Sequence, residues 1–231
     1  VSFQSFPASN NVANSIGTRI LYDAIDRIVR VEQDSELGVL ATTTEYLPGM
    51  KTRVTNPRGQ RTTTSFMAWD QPTYDFPIRS DQPEDKIIHI IRNPAFGWPT
   101  ELIQQNSAGT QVAIRRYVYD GSGRLCKMIE PEAGVTVSGY DGVGNPTWMA
   151  SGLDRQIFGS TTDCQHVDAF NSGRTILREY DKRNRLVRLK FPDGRGDQVW
   201  TYTKDGKPAS IVAYNGGGNT SPAITAYKYN N

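Results

Sequence analysis

The chain has 231 residues, 37% of them hydrophobic, with 26 Lys and Arg against 24 Asp and Glu, for a formal net charge of +2. Interspersed charge of both signs argues against nucleic acid as a partner, because that surface needs a clustered basic patch. No run approaches the roughly 20 apolar residues of a membrane-spanning helix.

Tyr, Thr, Val, Gly and Pro are plentiful, which favours strands and turns over helices. Residues 1 to 15 are polar and irregular, with Pro7, Asn10 and Asn11, and show no basic leader segment. Ile16, Ile20, Leu21, Ala24, Ile25, Ile28 and Val29 then fall on helical spacing. A competing pattern overrides it. Tyr22-Asp23 matches Tyr119-Asp120, Tyr140-Asp141 and Tyr180-Asp181, and Arg27-Ile28 matches Arg124-Leu125 and Arg185-Leu186. Copies that constrain one another place a turn at Tyr22-Asp23 and a strand from Arg27 to Glu32.

Thr42 to Leu47 reads as a strand, and Lys51 to Thr55 and Arg61 to Met67 as a hairpin about Asn56-Pro57-Arg58-Gly59. Residues 70 to 85, with Pro72, Pro77, Pro83 and several acids, are expected to exclude a central strand and to protrude as a loop. Lys86 to Arg92 reads as a strand buried on both faces. Glu101 to Gln105 and Gln111 to Tyr119 follow as strands. The best repeats run from Tyr117 to Trp148, and Ser151 to Ser172 reads as a second irregular insertion. Repeats resume at Arg174. Asn215 to Asn219 reads as a flexible loop before a last strand, Ala223 to Tyr229.

The spacing is regular: Tyr119 to Tyr140 is 21 residues, Tyr180 to Tyr202 is 22 and Tyr22 to Tyr46 is 24. A fixed period of this size marks stacked supersecondary units. After each Arg, aliphatic and basic residues alternate, as in Cys126-Lys127-Met128 and Val187-Arg188-Leu189. Turns at Pro131-Glu132-Ala133-Gly134 and Pro192-Asp193-Gly194 lead into strands Val135 to Tyr140 and Gln198 to Tyr202. The Asp is expected to open the turn by accepting backbone N–H bonds. Gly123, Asn184 and Asp26 are expected to take positive φ. Arginine is expected to fold back to the Asp, and tyrosine to stack on the next tyrosine.

This pattern, YDxxGRL, PxG and a closing tyrosine, resembles the Rhs or YD-repeat family over about Tyr22 to Tyr229. The resemblance implies an all-β fold of about ten to fourteen strands. Its antiparallel hairpins would form a curved, spiralling sheet, a single segment of a larger shell. It implies a structural role in enclosing a C-terminal toxin, in a secreted, injected or cell-surface bacterial protein. The partners would be the remainder of the shell and the enclosed toxin. Repeat-motif residues are Tyr22, Asp23, Arg27, Tyr119, Asp120, Gly123, Arg124, Tyr140, Asp141, Tyr180, Asp181, Arg185 and Tyr202. The ending at Tyr227 to Asn231 resembles an interrupted repeat, so the chain is expected to be a piece of a longer protein. The family's self-cleaving segment carries a DPxG-type signature. Asn93-Pro94-Ala95-Phe96-Gly97 departs from it in having Asn for Asp and one extra residue, and is read as an ordinary turn.

No catalytic, metal or cofactor constellation stands out, and an enzyme is not expected. His89 sits in an apolar run and reads as a core or surface side chain. Asp163-Cys164-Gln165-His166-Val167-Asp168 contains ligand-type residues, but one short segment lacks the usual ligand pairs. Cys126 is expected inward beside Met128 as a buried free thiol, with no disulfide framework. Trp69, Trp98, Trp148 and Trp200 leave an alternative open, a carbohydrate-binding or adhesion module with glycans as partners.

Overall fold

A computed structural model describes residues 1–6, 16–68, 73–216 and 220–229. The chain divides into two compact units, Val1–Ile114 and Arg115–Asn231. The first is a meander of β1 (Ser2–Ser5), β2 (Gly17–Tyr22), β3 (Ile28–Ser35), β4 (Gly38–Leu47), β5 (Lys51–Thr55), β6 (Arg61–Phe66), β7 (Pro77–Gln82), β8 (Lys86–Arg92) and β9 (Pro99–Gln105). Each strand pairs antiparallel with the next. β10 (Val112–Tyr119) straddles the boundary. The second unit continues with β11 (Leu125–Glu130), β12 (Gly134–Tyr140), β13 (Pro146–Leu153), β14 (Thr175–Tyr180), β15 (Leu186–Lys190), β16 (Gln198–Tyr202), β17 (Pro208–Gly216) and β18 (Thr220–Ala226). These too are sequential antiparallel neighbours.

The fold is therefore all-β, made of antiparallel hairpins, and the repeat register wins over the helical spacing at Ile16–Val29. The described residues hold eighteen strands, more than the ten to fourteen expected. The surplus includes β1, β2 and β7, none of which carries the apolar alternation that marks a half-buried strand.

Several sequence expectations are corrected. β7 runs through the supposed loop at 70–85 and pairs on both sides. Pro77 is tolerated because it is the first residue of the strand and sits at a register shift opposite Phe66, where a ladder N–H is dispensable. The charge of Asp81 is met by Arg79 on the same face at 2.8 Å. Tyr74, just before β7, packs edge-on against Tyr46 and Phe66, with centroids 5.4 and 5.2 Å apart. Trp69 to Pro72 lie outside the described residues. β8 is half-buried rather than covered on both faces, and Ile91 is exposed. Ser2–Ser5 form a strand within the stretch read as irregular, while Pro7, Asn10 and Asn11 lie outside the described residues. Asn215 and Gly216 end β17, and residues 217–219 also lie outside.

Ser151 to Leu153 belong to β13, and the second insertion starts after them. It holds two short helices, α1 (Arg155–Phe158) and α2 (His166–Phe170). Asp154 caps α1 by accepting from the amide of Gln156 at 2.8 Å. The main core lies beneath this insertion. Ile129, Val135, Val137, Ala150 and Leu153 of β11–β13 pack with Phe158 and Ala169. The bare sheet cannot bury both faces, and the insertion supplies the missing layer here. No helix among the described residues is long and apolar enough to cross a membrane.

Candidate functional site

The repeated turn is the most developed feature of the chain. In the copy that begins at Tyr119, the last residue of β10, Asp120 N donates to Arg124 O at 2.9 Å and Gly123 N to Asp120 O at 2.9 Å. The Asp120 carboxylate fills the inside of the loop. Its Oδ1 accepts from the amides of Ser122 and Arg124, both at 2.9 Å, and its Oδ2 from Arg124 Nε at 2.8 Å. The guanidinium of Arg124 lies 4.8 Å from the centroid of the Tyr140 ring, and Tyr140 OH donates to Leu125 O at 2.7 Å. Asp, Arg and the next tyrosine thus close one circuit across three strands.

The circuit recurs. Asp23 accepts from the amides of Ile25 and Arg27; Arg27 lies 3.9 Å from the Tyr46 centroid, and Tyr46 OH reaches Ile28 O. Asp181 accepts from Arg183 and Arg185; Arg185 lies 4.2 Å from the Tyr202 centroid, and Tyr202 OH reaches Leu186 O. In the Asp141 copy, Asn145 replaces arginine and donates to Asp141 Oδ2, and Tyr180 OH reaches Pro146 O. A fifth copy, missed in the sequence, uses Thr203 in place of Asp and Lys207 in place of Arg, with Tyr229 OH donating to Pro208 O. Only the turn glycine, Gly206, and the later tyrosine signal it. The sequence predicts tyrosine on tyrosine; Tyr46, Tyr140, Tyr202 and Tyr229 meet the arginine or lysine of the preceding copy, and Tyr46 also packs against Tyr74.

Neighbouring turns are also laced sideways. Arg124 Nη1 donates to Asp141 O at 2.8 Å, Asn145 Nδ2 to Asn184 Oδ1 at 3.0 Å, and Arg183 Nη1 to Lys204 O at 3.4 Å.

The loop geometry requires a left-handed residue before the arginine: φ is 78° at Gly123, 58° at Asn184 and 58° at Asp26. Asn and Asp accept this region best among residues with a Cβ, and a β-branched residue is an outlier there. Gly123→Val is expected to destabilise the second unit by about 2 kcal/mol, and Gly123→Asn by well under half of that. Urea denaturation of the two variants side by side checks this; equal losses would remove φ as the cause.

The same geometry sets the carboxylates. The Arg185 side chain, with the amides of Arg185 and Arg183, holds Asp181 down to about 2 from 3.8. For Asp23 the amide and guanidinium of Arg27 outweigh desolvation, and for Asp141 the Asn145 side chain and amide do so. At Asp120 desolvation pushes upward, but the amide and side chain of Arg124 prevail and the pKa falls. A carboxyl whose pKa drops on folding adds stability that is complete above the unfolded value and is lost as pH falls through the folded one. Asp181 should therefore contribute fully above pH 3.8 and lose that contribution as pH falls through about 2. An NMR titration of its carboxyl carbon should show a midpoint near 2, rising in Arg185→Gln; a midpoint at 3.8 would contradict the circuit.

After the Tyr119–Leu125 turn the register slips by one, whereas the Asn56–Gly59 turn is followed by unshifted pairing. Tyr119 faces Leu125 while Val118 faces Lys127, leaving Cys126 as the extra residue. Val29, Ile78, Thr100, Thr147, Val187 and Ala209 hold the same place in other copies. Such bulges re-aim side chains. Thr100 and Thr147 use the position to donate to Ile91 O and Gly139 O, each at 3.3 Å.

The bulge undoes the alternation that placed Cys126 beside Met128. Cys126 instead forms a disulfide with Cys164 of the insertion, Cα–Cα 5.6 Å, so the free-thiol expectation is corrected. Lys127, with a fully buried side chain, donates from Nζ to Ser160 O at 2.9 Å and Gln165 Oε1 at 2.6 Å. Burial pushes its pKa down, opposed by Asp163. His166 Nε2 lies 3.1 Å from Ser138 O, and its ring meets Trp148 edge-on at 5.7 Å. The cysteines and His166 bring three ligand-type atoms within 4.8 Å of one another, a grouping the single segment 163–168 could not reveal.

His89 lies on β8, its Nε2 3.4 Å from Gln105 Nε2. Asn93 caps an ordinary turn, accepting from the amides of Ala95 and Phe96. Trp98 stacks on Phe96 at 4.5 Å, and Trp148 is packed beneath the insertion.

No protein-family model and no curated protein matches the chain. Its fold is similar to that in the crystal structure of TcdB2-TccC3-Cdc42, with a TM-score of 0.54, 13% identity, and coverage of 90% of this chain and 12% of that one. The crystal structure of TcdB2-TccC3-TEV gives a TM-score of 0.51 at 13% identity, covering 87% of this chain and 12% of that one. The chain thus spans 12% of the length of each of these two chains. At that identity the likeness is one of fold. It agrees with the all-β repeat architecture implied by the resemblance to the Rhs/YD-repeat family.

Proposed function

We propose that this chain is a structural repeat segment of a Rhs/YD-repeat shell, part of a longer secreted or injected protein that encloses a toxin cargo. The observation that carries the reading is the recurring Asp–Arg–Tyr circuit, which ties each turn to a strand of the following copy. Such a device adds stiffness one repeat at a time, as a wall requires, and it uses the charged residues internally rather than presenting them to a substrate. The sideways links between turns support the same role. So does the fold shared with the TcdB2-TccC3 chains, of which this chain spans a small part.

The test uses the longer protein that the reading requires, with its cargo region intact. Limited proteolysis should leave the cargo uncut in the parent protein. It should expose the cargo when Gly123→Val and Tyr140→Ala together loosen the repeats here. Equal cleavage of the cargo in the parent and the variant would overturn the enclosing role.

A further inference from the structure

We propose that Cys126, Cys164 and His166 form a binding site for a soft or borderline divalent cation of the zinc type when the Cys126–Cys164 bridge is reduced. The insertion would then be pinned to β11 by metal in place of the disulfide.

Three observations point there. First, the three ligand-type atoms already lie within 4.8 Å of one another. Metal–ligand distances of about 2.0 to 2.3 Å place the atoms of a tetrahedral site roughly 3.5 to 3.8 Å apart. The site therefore needs the imidazole nitrogen to close on the sulfurs by at most roughly 1.3 Å and the two sulfurs, freed from each other by reduction, to part to about 3.8 Å. Second, the ligands come from separate places, the bulge of β11 and the insertion, and each is fixed independently. The bulge aims Cys126, and Lys127 holds the insertion through Ser160 and Gln165. Third, the Ser138 carbonyl that faces His166 Nε2 can only accept, so Nε2 carries the hydrogen and the imidazole lone pair is left on Nδ1. A backbone carbonyl on the far ring nitrogen is the usual support of a metal-bound histidine. An open cavity lined by Tyr119, Asp120, Asp163 and His166 adjoins the cluster, leaving room for water as a fourth ligand.

The chemistry balances. A dithiol passes two electrons and two protons to the bridge and becomes a disulfide itself, giving two thiols. The cation then takes both as thiolates, releasing two protons, and accepts the imidazole lone pair.

Cobalt(II) is the probe, because thiolate ligation gives it a distinctive charge-transfer absorption. The reduced chain should bind one cobalt per molecule with that absorption, and the oxidised chain should not. Cys164→Ser should abolish the thiolate signal of the pair. His166→Asn should weaken binding by at least the ~10-fold that follows disturbance of a metal's outer shell. Far-ultraviolet circular dichroism confirms that each variant keeps its strands. A second variant, Cys126→Ser, guards against misfolding of the first. Absence of the absorption in the folded, reduced parent chain would overturn the site. Undiminished binding in folded His166→Asn would overturn the three-ligand set.

Discussion

Reducing the Cys126–Cys164 bridge, with metal chelated, should lower the stability of the Arg115–Asn231 unit by about 4 kcal/mol. The bridge spans 38 residues, and closing a loop of that size removes chain entropy from the unfolded state worth about 4 kcal/mol at room temperature. The folded state should change little. Lys127, His166 and Trp148 all hold the insertion by contacts that do not involve sulfur. Urea denaturation followed by tryptophan fluorescence, with and without a chelator-treated reductant, reads the difference. A loss below about 1 kcal/mol would mean that the unfolded chain is already constrained there.

The second large effect is expected at Gly139. It faces Trp148 across β12 and β13, and a Cβ built on it would overlap the indole, with Cδ1 only 2.8 Å away and Nε1 and Cε2 nearer still. The indole cannot retreat easily. It is met edge-on by Phe170 at 5.3 Å and by His166, and it borders the buried cluster. Gly139→Val must therefore expel the ring or bend the strands. Expulsion forfeits most of what burying a tryptophan contributes, so the expected cost is about 3 kcal/mol. The double variant with Trp148→Ala should lose far less than the sum of the two single changes, because one clash is counted in both. Denaturation midpoints of the four proteins check this; strict additivity would show that the ring is not what Gly139 accommodates.

The sequence made the scaffold legible for a physical reason. The best copies of the turn place a carboxylate at one position, a left-handed residue three later and a basic residue after it, so Asp120, Gly123 and Arg124 leave a chemical trace that Asp23, Asp26 and Arg27 repeat. Strands β12 and β16 were equally readable from Val135 to Tyr140 and Gln198 to Tyr202. What stayed hidden depends on register. A one-residue slip after a turn is invisible to alternation, so alternation puts Cys126 on the wrong face and hides its partner. β7 was masked because prolines and acids signal loops, although Pro77 sits at a slip and Asp81 pairs with Arg79. The insertion gave no periodic signal at all. It folds by docking, through Cys164, Gln165, His166 and Phe170, onto a sheet face specified far away in the chain.

The central claim is that the Asp-turn, the arginine and the following tyrosine act as one unit joining successive repeats. A double-mutant cycle on Arg124 and Tyr140, using Arg124→Gln and Tyr140→Leu in denaturant titrations, tests it most directly. The account predicts a favourable coupling of about 0.5 to 1 kcal/mol, with coupling of the same sign at Arg185 and Tyr202. Zero coupling at both pairs would contradict it.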